Sequence, residues 1–161
     1  MSTVVYSFGE GFGEGFDVAF NTVYDGIFVN LISALEAISS IKSVLKAGDK
    51  YKIGALPCCK VNPGPWVRNK TDQFQIGTVS EDALIIQTEV AILIRKSEPG
   101  DWFEDITPVL GDVVDAIDAD PTLGASCLYA WASAGDPDGI RVSNTLYYGG
   151  LIRVTILAEY P

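Results

Sequence analysis

The segment Leu84–Arg95 constrains the fold most, because apolar side chains occupy every second position along it. Such alternation predicts a long β-strand with one face in a core. That face comprises Leu84, Ile86, Thr88, Val90, Ile92 and Ile94. The opposite face mixes Gln87 and Glu89 with Ile85 and Leu93. We therefore expect this second face to meet a neighbouring subunit in place of water.

Two helices are predicted from apolar residues that recur at three- and four-residue steps. The first spans 21–46, with a break near Ser39-Ser40 as the alternative. The second begins at the N-cap Asp101 and ends at Asp120-Pro121. Pro108 lies inside its apolar stripe, so we expect a kink or the start of a second piece there.

The remaining segments predict strands and the turns between them. Short strands are expected over 55–61, 127–134, 141–148 and 151–160, and a long loop or projecting hairpin over 66–82. Asp136-Pro137-Asp138-Gly139 predicts a turn, and Gly149-Gly150 predicts a break between the last two strands. Strands with two interspersed helices indicate an α+β domain over 21–161, a mainly antiparallel sheet with both helices on one face.

A glycine-rich repeat marks residues 1–20 as an N-terminal arm. Phe8, Phe12 and Phe16 are separated by Gly-Glu-Gly, and alternate glycines disfavour a helix. The pattern is typical of a flexible terminal arm. A second interpretation is that the regularly spaced phenylalanines dock on a neighbouring subunit.

The charge balance excludes partners that are bound through a basic face. The net charge is −10, and no run of Lys or Arg occurs. An acidic surface repels phosphate, so we expect neither duplex binding nor attachment to anionic membranes. Asp112, Asp115 and Asp118 line the polar side of the second helix. They are interpreted as a solvated face, or as an acidic surface that DNA passes without binding.

The residue inventory disfavours an enzyme. Histidine is absent, and the three cysteines, Cys58, Cys59 and Cys127, lack metal-ligand spacing. Nucleophile-elbow, phosphate-loop and zinc-protease motifs are missing. We therefore expect no catalytic residue, cofactor or metal. The cysteines are interpreted as small buried residues in strands, and Trp66 has no packing role that the sequence predicts. Neither a secretory leader nor a transmembrane run is found, so we expect assembly in a cytoplasm.

The C-terminal half resembles the tail-terminator proteins of tailed bacteriophages. The matching features are a helix followed by Ala119-Asp120-Pro121-Thr122-Leu123-Gly124, then a strand, a turn and a final Leu-Ile-Arg-Val-Thr-Ile strand. In that family a helix ends in a similar Asp-Pro-Thr-Leu-Gly-Gly phrase. The strand start at Ala55-Leu56-Pro57 is also similar to the family's first strand. The order of elements matches over 21–160, whereas the arm and the stretch 62–82 depart from the pattern.

This resemblance implies a structural virion protein. Its members form a homohexameric ring that caps the tail tube, stops tube polymerisation and joins the tail to the head connector. The implied partners are other copies of the chain, the tail-tube protein and a connector or neck protein, while DNA passes through unbound. Phe8, Phe12, Phe16, Ile85, Leu93 and Trp66 are the predicted interface residues. Alternatives are another neck ring component, such as a tail-completion or head–tail joining protein, and a cellular protein-binding module.

Overall fold

The computed structural model describes residues 20–46, 53–69, 75–76, 79–80, 82–96, 102–142 and 144–160. The predicted arm, with Phe8, Phe12 and Phe16, and the predicted N-cap Asp101 lie outside these residues. The elements in chain order are α1 (Phe20–Glu36), β1 (Ser43–Leu45), β2 (Cys58–Asn62), β3 (Trp66–Asn69), β4 (Gln75–Ile76), β5 (Val79–Ser80), β6 (Ala83–Lys96), α2 (Trp102–Ala119), β7 (Tyr129–Val142) and β8 (Thr145–Glu159).

Six of the described strands form one sheet in the order β1-β2-β6-β8-β7, with β3 also paired to β6. All pairings are antiparallel except that of β1 with β2. β2 and β3 lie end to end along the same side of β6, and Pro63-Gly64-Pro65 interrupts them. β4 and β5 form a separate two-stranded hairpin. The predicted α+β architecture is confirmed.

Both helices cover one face of this sheet, which we call the inner face. The alternating residues of β6, from Leu84 to Ile94, are all buried there, as the sequence predicts. They pack with Leu31 of α1 and Val113 of α2 in a single core. Burying a large aliphatic side chain contributes about 1.5–3 kcal/mol, so the apolar contact between helices and sheet is the main source of stability. None of the described helices is long and apolar enough to cross a membrane.

The first helix is shorter than predicted. It ends at Glu36 and is followed by tight turns, in which the amide of Ile41 donates to the carbonyl of Ile38 at 3.1 Å. The amide of Lys42 then donates to the carbonyl of Pro57 at 2.8 Å, which brings β1 alongside β2. Ile41 is buried although it lies outside the helix. In the sequence, apolar residues continue at helical spacing beyond Ser39-Ser40. They do so because the turn and the strand that follow the helix bury their apolar residues against the same core.

The predicted turn at 136–139 and the predicted break at Gly149-Gly150 are both wrong. The first lies within β7 and the second within β8, and these strands form one long hairpin. The glycines are required by close packing. A methyl group on Gly149 would overlap the carbonyl oxygen of Ile92, and one on Gly150 would lie 3.0 Å from the Leu110 side chain of α2.

The other boundaries differ from prediction by a few residues. The strand expected over 55–61 forms as Cys58–Asn62, and the strand expected from residue 127 begins at Tyr129. Of the stretch 66–82, Trp66–Asn69 joins the main sheet, and the hairpin of β4 and β5 is the part that fits a projecting hairpin. The second helix runs through Pro108 as one element.

Candidate functional site

The outer face of the sheet carries a row of apolar side chains that the helices do not cover. Register places Val67 beside Ile85, Ile85 beside Leu157, and Leu157 beside Tyr129. The row therefore crosses the sheet from β3 to β7. Val67 is 59% exposed and Tyr129 is 52% exposed, while Ile85 and Leu157 are half-buried. Trp131, 38% exposed, extends the row along β7. We call these five residues the outer patch.

Tyr129 and Trp131 form the aromatic end of the outer patch. Their ring centroids are 5.6 Å apart with planes inclined at 53°, a favourable geometry for aromatic pairs. Between them Ala130 points into the core, where its side chain is almost fully buried. Large residues on the open face thus alternate with alanines on the covered face. Contiguous exposed apolar surface of this kind marks interaction sites.

The turn between α2 and β7 holds three successive residues in the left-handed backbone region. Leu123, Gly124 and Ala125 have φ values of 46°, 64° and 66°. For residues other than glycine this conformation costs roughly 1–2 kcal/mol each. Such local strain persists only where its surroundings over-determine it, and it clusters at functional sites. The turn coincides with the Asp-Pro-Thr-Leu-Gly phrase of the sequence.

Hydrogen bonds and burial fix this turn. The side-chain amide of Asn30 in α1 donates to the carbonyl of Leu123 at 2.9 Å, and the Ser126 hydroxyl donates to the same oxygen at 2.7 Å. The amide of Gly124 donates to an Asp120 carboxylate oxygen at 2.9 Å. The Leu123 side chain is fully buried. The turn is therefore a rigid connection that leads directly into Leu128, Tyr129 and the outer patch.

The same turn occupies part of the exposed edge of β7. The amide of Ala130 donates to the carbonyl of Pro121 at 2.6 Å. One edge-facing donor of the strand is thereby satisfied within the chain, which limits unspecific edge pairing at this point. A register shift between Ala132 and Ala134 bends the strand just beyond it.

Trp66 has a packing role that the sequence did not reveal. It is 45% exposed, and its ring lies 4.9 Å from that of Phe20 at the start of α1. Phe20 also contacts Tyr24 and Tyr160, with centroid distances of 5.4 and 5.8 Å. The Arg68 guanidinium lies 3.9 Å from the centre of the Tyr160 ring. This aromatic cluster attaches the first turn of α1 to β3, an edge strand.

Arg68 also pairs with Asp82, at 2.8 Å between guanidinium nitrogen and carboxylate oxygen. This contact raises the pKa of the Arg68 guanidinium further, since the carboxylate stabilises the cation. Both side chains are partly exposed to solvent, which screens the attraction between their charges. The pair aligns β3 with the start of β6 but adds little stability.

A groove lies beside α1. The groove encloses about 420 Å³. Its lining is mainly apolar and includes Tyr24, Phe28, Ile32 and Val61. The charged residues Asp25, Glu36 and Lys46 also line it. Val29, also in its lining, is largely exposed. The groove lies on the helix side of the sheet, opposite the outer patch.

The predicted site residues do not form one cluster. Ile85 belongs to the outer patch, whereas Leu93 on the same face is only 2% exposed and so presents no contact surface. Trp66 belongs to the aromatic cluster on the other side of the sheet. Asp112, Asp115 and Asp118 are exposed on α2, and Asp112 accepts a hydrogen bond from the Ser40 hydroxyl at 2.7 Å.

Titratable chemistry is sparse in the described part of the chain. Cys58 and Cys59 are buried and Cys127 is half-buried. Burial, with a smaller effect of Cys58, raises the pKa of the Cys59 thiol to about 12. Burial, with a smaller effect of Asp120, raises the pKa of Cys127 to about 11. Both thiols therefore stay protonated at neutral pH. Among these residues no group of His, Cys, Asp and Glu could hold a metal ion.

Four residues of the outer patch were not predicted from the sequence: Val67, Tyr129, Trp131 and Leu157. A signal for two of them was present, because Tyr129 and Trp131 alternate with Ala130 and Ala132. In such a strand the small alanine side chains face a helix, and the large aromatic side chains face away from it.

Comparison with known protein families and with characterised proteins finds no match to this chain.

Proposed function

We propose that this protein is a structural subunit of a virion neck, and that its copies form a homohexameric ring capping the tail tube. The ring would stop tube polymerisation and join the tail to the head connector, as the resemblance to tail terminators implies. The observation that carries the proposal is the outer patch. Five apolar or aromatic side chains on a face without helices give a surface for protein contact that reaches an edge strand.

The turn at 123–125 supports the same proposal. It includes Leu123 and Gly124, the end of the phrase that resembles the terminator family, and it fixes the backbone shortly before Tyr129. A contact surface gains affinity when its residues are held in place before binding, because less entropy is lost on association. A ring also needs two different surfaces per subunit that meet head to tail. The two edges of the sheet, β3 on one side and β7 on the other, are such surfaces.

The first test is the solution mass of the purified protein, measured by light scattering over a range of concentrations. A mass near six subunits, or a monomer that becomes a ring when tail-tube protein is added, would support the proposal. The matched control is a variant with Trp131→Ser and Tyr129→Ser, whose side chains are exposed, so that the fold is retained. A strict monomer that ignores tube protein would refute the ring.

The acidic side of α2 gives a second test of the same function. We propose that Asp112, Asp115 and Asp118 face a channel through which DNA passes without binding. Replacing all three by lysine should create salt-sensitive DNA binding by the assembled ring, because each neutralised phosphate releases counterions. Replacement of the exposed Glu104 and Asp105 by lysine is the control. Equal DNA binding by the two variants would show that the three aspartates are an ordinary solvated face.

A protein-binding module is the second candidate function, and the groove beside α1 favours it. The groove combines aromatic and aliphatic lining with a few charged residues, which is typical of sites for a peptide side chain or small ligand. Replacing the exposed Val29 by Glu would block this groove without disturbing the outer patch. If that variant still forms rings with tube protein, the groove is not needed for the proposed assembly.

A further inference from the structure

We infer that the aromatic repeat of the N-terminal arm of one copy docks on the outer patch of the next copy. This inference rests on the proposed ring, and it names the two surfaces that meet. The occupant is the segment Phe8–Phe16 of a second copy of this chain. The site is the outer patch at its aromatic end, Tyr129 and Trp131 on β7.

The first argument is where the arm leaves the described structure. Residues 1–19 precede Phe20, whose ring packs on Trp66 of β3. β3 lies at one edge of the sheet, and Tyr129 and Trp131 lie on β7 at the other edge. Three strand spacings, about 14 Å, separate the two edges. In a head-to-tail ring that brings the β3 edge of one copy to the β7 edge of the next, the arm starts on the helix side of that shared edge and passes round it to reach its neighbour's aromatic pair.

The second argument is reach. Each extended residue spans at most about 3.3–3.6 Å. Phe16 is thus within roughly 14 Å of Phe20, and Phe8 within roughly 40 Å. Phe16 can contact the near edge of a neighbour, and Phe12 and Phe8 can continue along the row from Tyr129 towards Ile85.

The third argument is the pattern of side chains. In an extended chain alternate residues face opposite sides. The repeat would therefore put Phe8, Phe12 and Phe16 on one side together with Glu10 and Glu14, and only glycines on the other. Such a segment presents aromatic rings at regular intervals to a flat sheet face. Arg153 is exposed on β8 next to the outer patch, where it pairs with Glu89. Its guanidinium can also pair with one of the two glutamates of the arm.

The size of the contact agrees with an arm that works in a closed ring. An aromatic side chain buries about 150–250 Å², so three phenylalanines bury about 450–750 Å². That is less than the roughly 800 Å² per partner of a standard interface. One arm alone would hold a dimer weakly, whereas a closed ring makes every contact simultaneously, which multiplies the effective affinity.

The test is disulfide trapping between chains of 161 residues that each carry one introduced cysteine. One preparation carries Ser7→Cys beside Phe8, and the other carries Ser133→Cys beside Trp131, both with Cys127→Ala. These changes leave every aromatic side chain in place. The two are mixed, oxidised mildly and separated without reductant, and mass spectrometry identifies the disulfide. The control replaces Ser133→Cys by Ser33→Cys, at an exposed position in the groove beside α1. We expect the yield of the 7–133 disulfide to be at least ten times the yield of the 7–33 disulfide.

Each other outcome overturns the inference. A dominant 7–33 disulfide places the arm in the α1 groove. A chain that carries both Ser7→Cys and Ser133→Cys is oxidised in parallel. If the 7–133 disulfide forms within this single chain and not between chains in the mixture, the arm lies on its own sheet. In a variant with Tyr129→Ser and Trp131→Ser, the 7–133 yield should fall about tenfold. An unchanged yield there refutes the aromatic contact.

Light scattering on the same samples separates this inference from the proposed function. A hexamer that yields no 7–133 disulfide refutes the arm docking and leaves the ring standing. A 7–133 disulfide between chains that never exceed a dimer supports the docking and refutes the ring. If the Ser133→Cys chain fails to fold by circular dichroism, Ala134→Cys, at an exposed position of β7 paired with Arg153, replaces it in the same design.

Discussion

Replacing Gly149 by alanine should destabilise the protein strongly, because a side chain at this position of β8 would collide with the backbone of β6. The new methyl group would overlap the Ile92 carbonyl oxygen and lie 2.7 Å from the Ile92 carbonyl carbon and 3.1 Å from the Leu93 Cα. Carbon atoms normally stay about 3.5–4.0 Å apart. Because the Ile92 carbonyl oxygen is closer still, the two strands must separate by more than about 1 Å, which stretches ladder hydrogen bonds of about 2.9 Å beyond useful length.

The cost follows from these displacements. About two ladder bonds at ~1 kcal/mol each, with overpacking strain of about 1–3 kcal/mol, give a loss of about 3–5 kcal/mol. For a chain of this size each kcal/mol shifts the melting temperature by about 2–4 °C. We therefore expect Gly149→Ala to melt roughly 10 °C below the wild type, as followed by far-ultraviolet circular dichroism.

The matched control is Gly111→Ala in α2. A methyl group at Gly111 meets nothing within 4 Å, and the position is exposed. Alanine is favoured over glycine in a helix by about 1 kcal/mol, so this variant should melt a few degrees above the wild type. If Gly149→Ala melts within about 2 °C of the wild type, the described approach of the two strands is wrong.

Three further predictions concern strain, burial and pH. Ala125→Gly should stabilise the protein by about 1 kcal/mol in urea unfolding, because glycine adopts a φ of 66° without strain; a loss of stability would contradict the described turn. Thr88→Val should raise stability by roughly 1–2 kcal/mol, because the Thr88 hydroxyl is buried with no hydrogen-bond partner among the described residues; an unchanged urea midpoint would indicate a bound water. Since the folded chain raises the pKa of Cys59 to about 12 and that of Cys127 to about 11, the unfolded chain ionises these thiols first above pH ~9. Stability should therefore be full below that pH and fall as the pH rises towards 12. Replacing both cysteines by alanine should flatten this part of the melting profile, and an unaltered slope would refute the assignment.

The sequence predicted those parts of the fold that local pattern determines. Alternation defined β6 and its buried face, and the apolar stripe defined α2, because each buries one complete face against the same core. Ser43–Leu45 was misread as helix, since its pairing with β2 depends on a contact made by Pro57. Gly149 was misread as a break, because the close strand that requires glycine is distant in sequence.

The candidate site was predicted only in part, for a related reason. Ile85 stood out because its strand is regular and its face is visibly mixed. The neighbours that complete the outer patch come from three other strands, and only register brings Val67, Leu157 and Tyr129 into one row with it. Register between strands is set by long-range packing, so a single strand's pattern cannot supply it.

The hydrogen bond from Asn30 to Leu123 joins residues 93 positions apart, so the turn depends on α1 for one of its contacts. The left-handed backbone of the turn is unfavourable in an unfolded chain. It becomes stable only once α1 has docked and its amide has reached the Leu123 carbonyl. We therefore expect chains in which α1 has not docked to lack a properly formed outer patch.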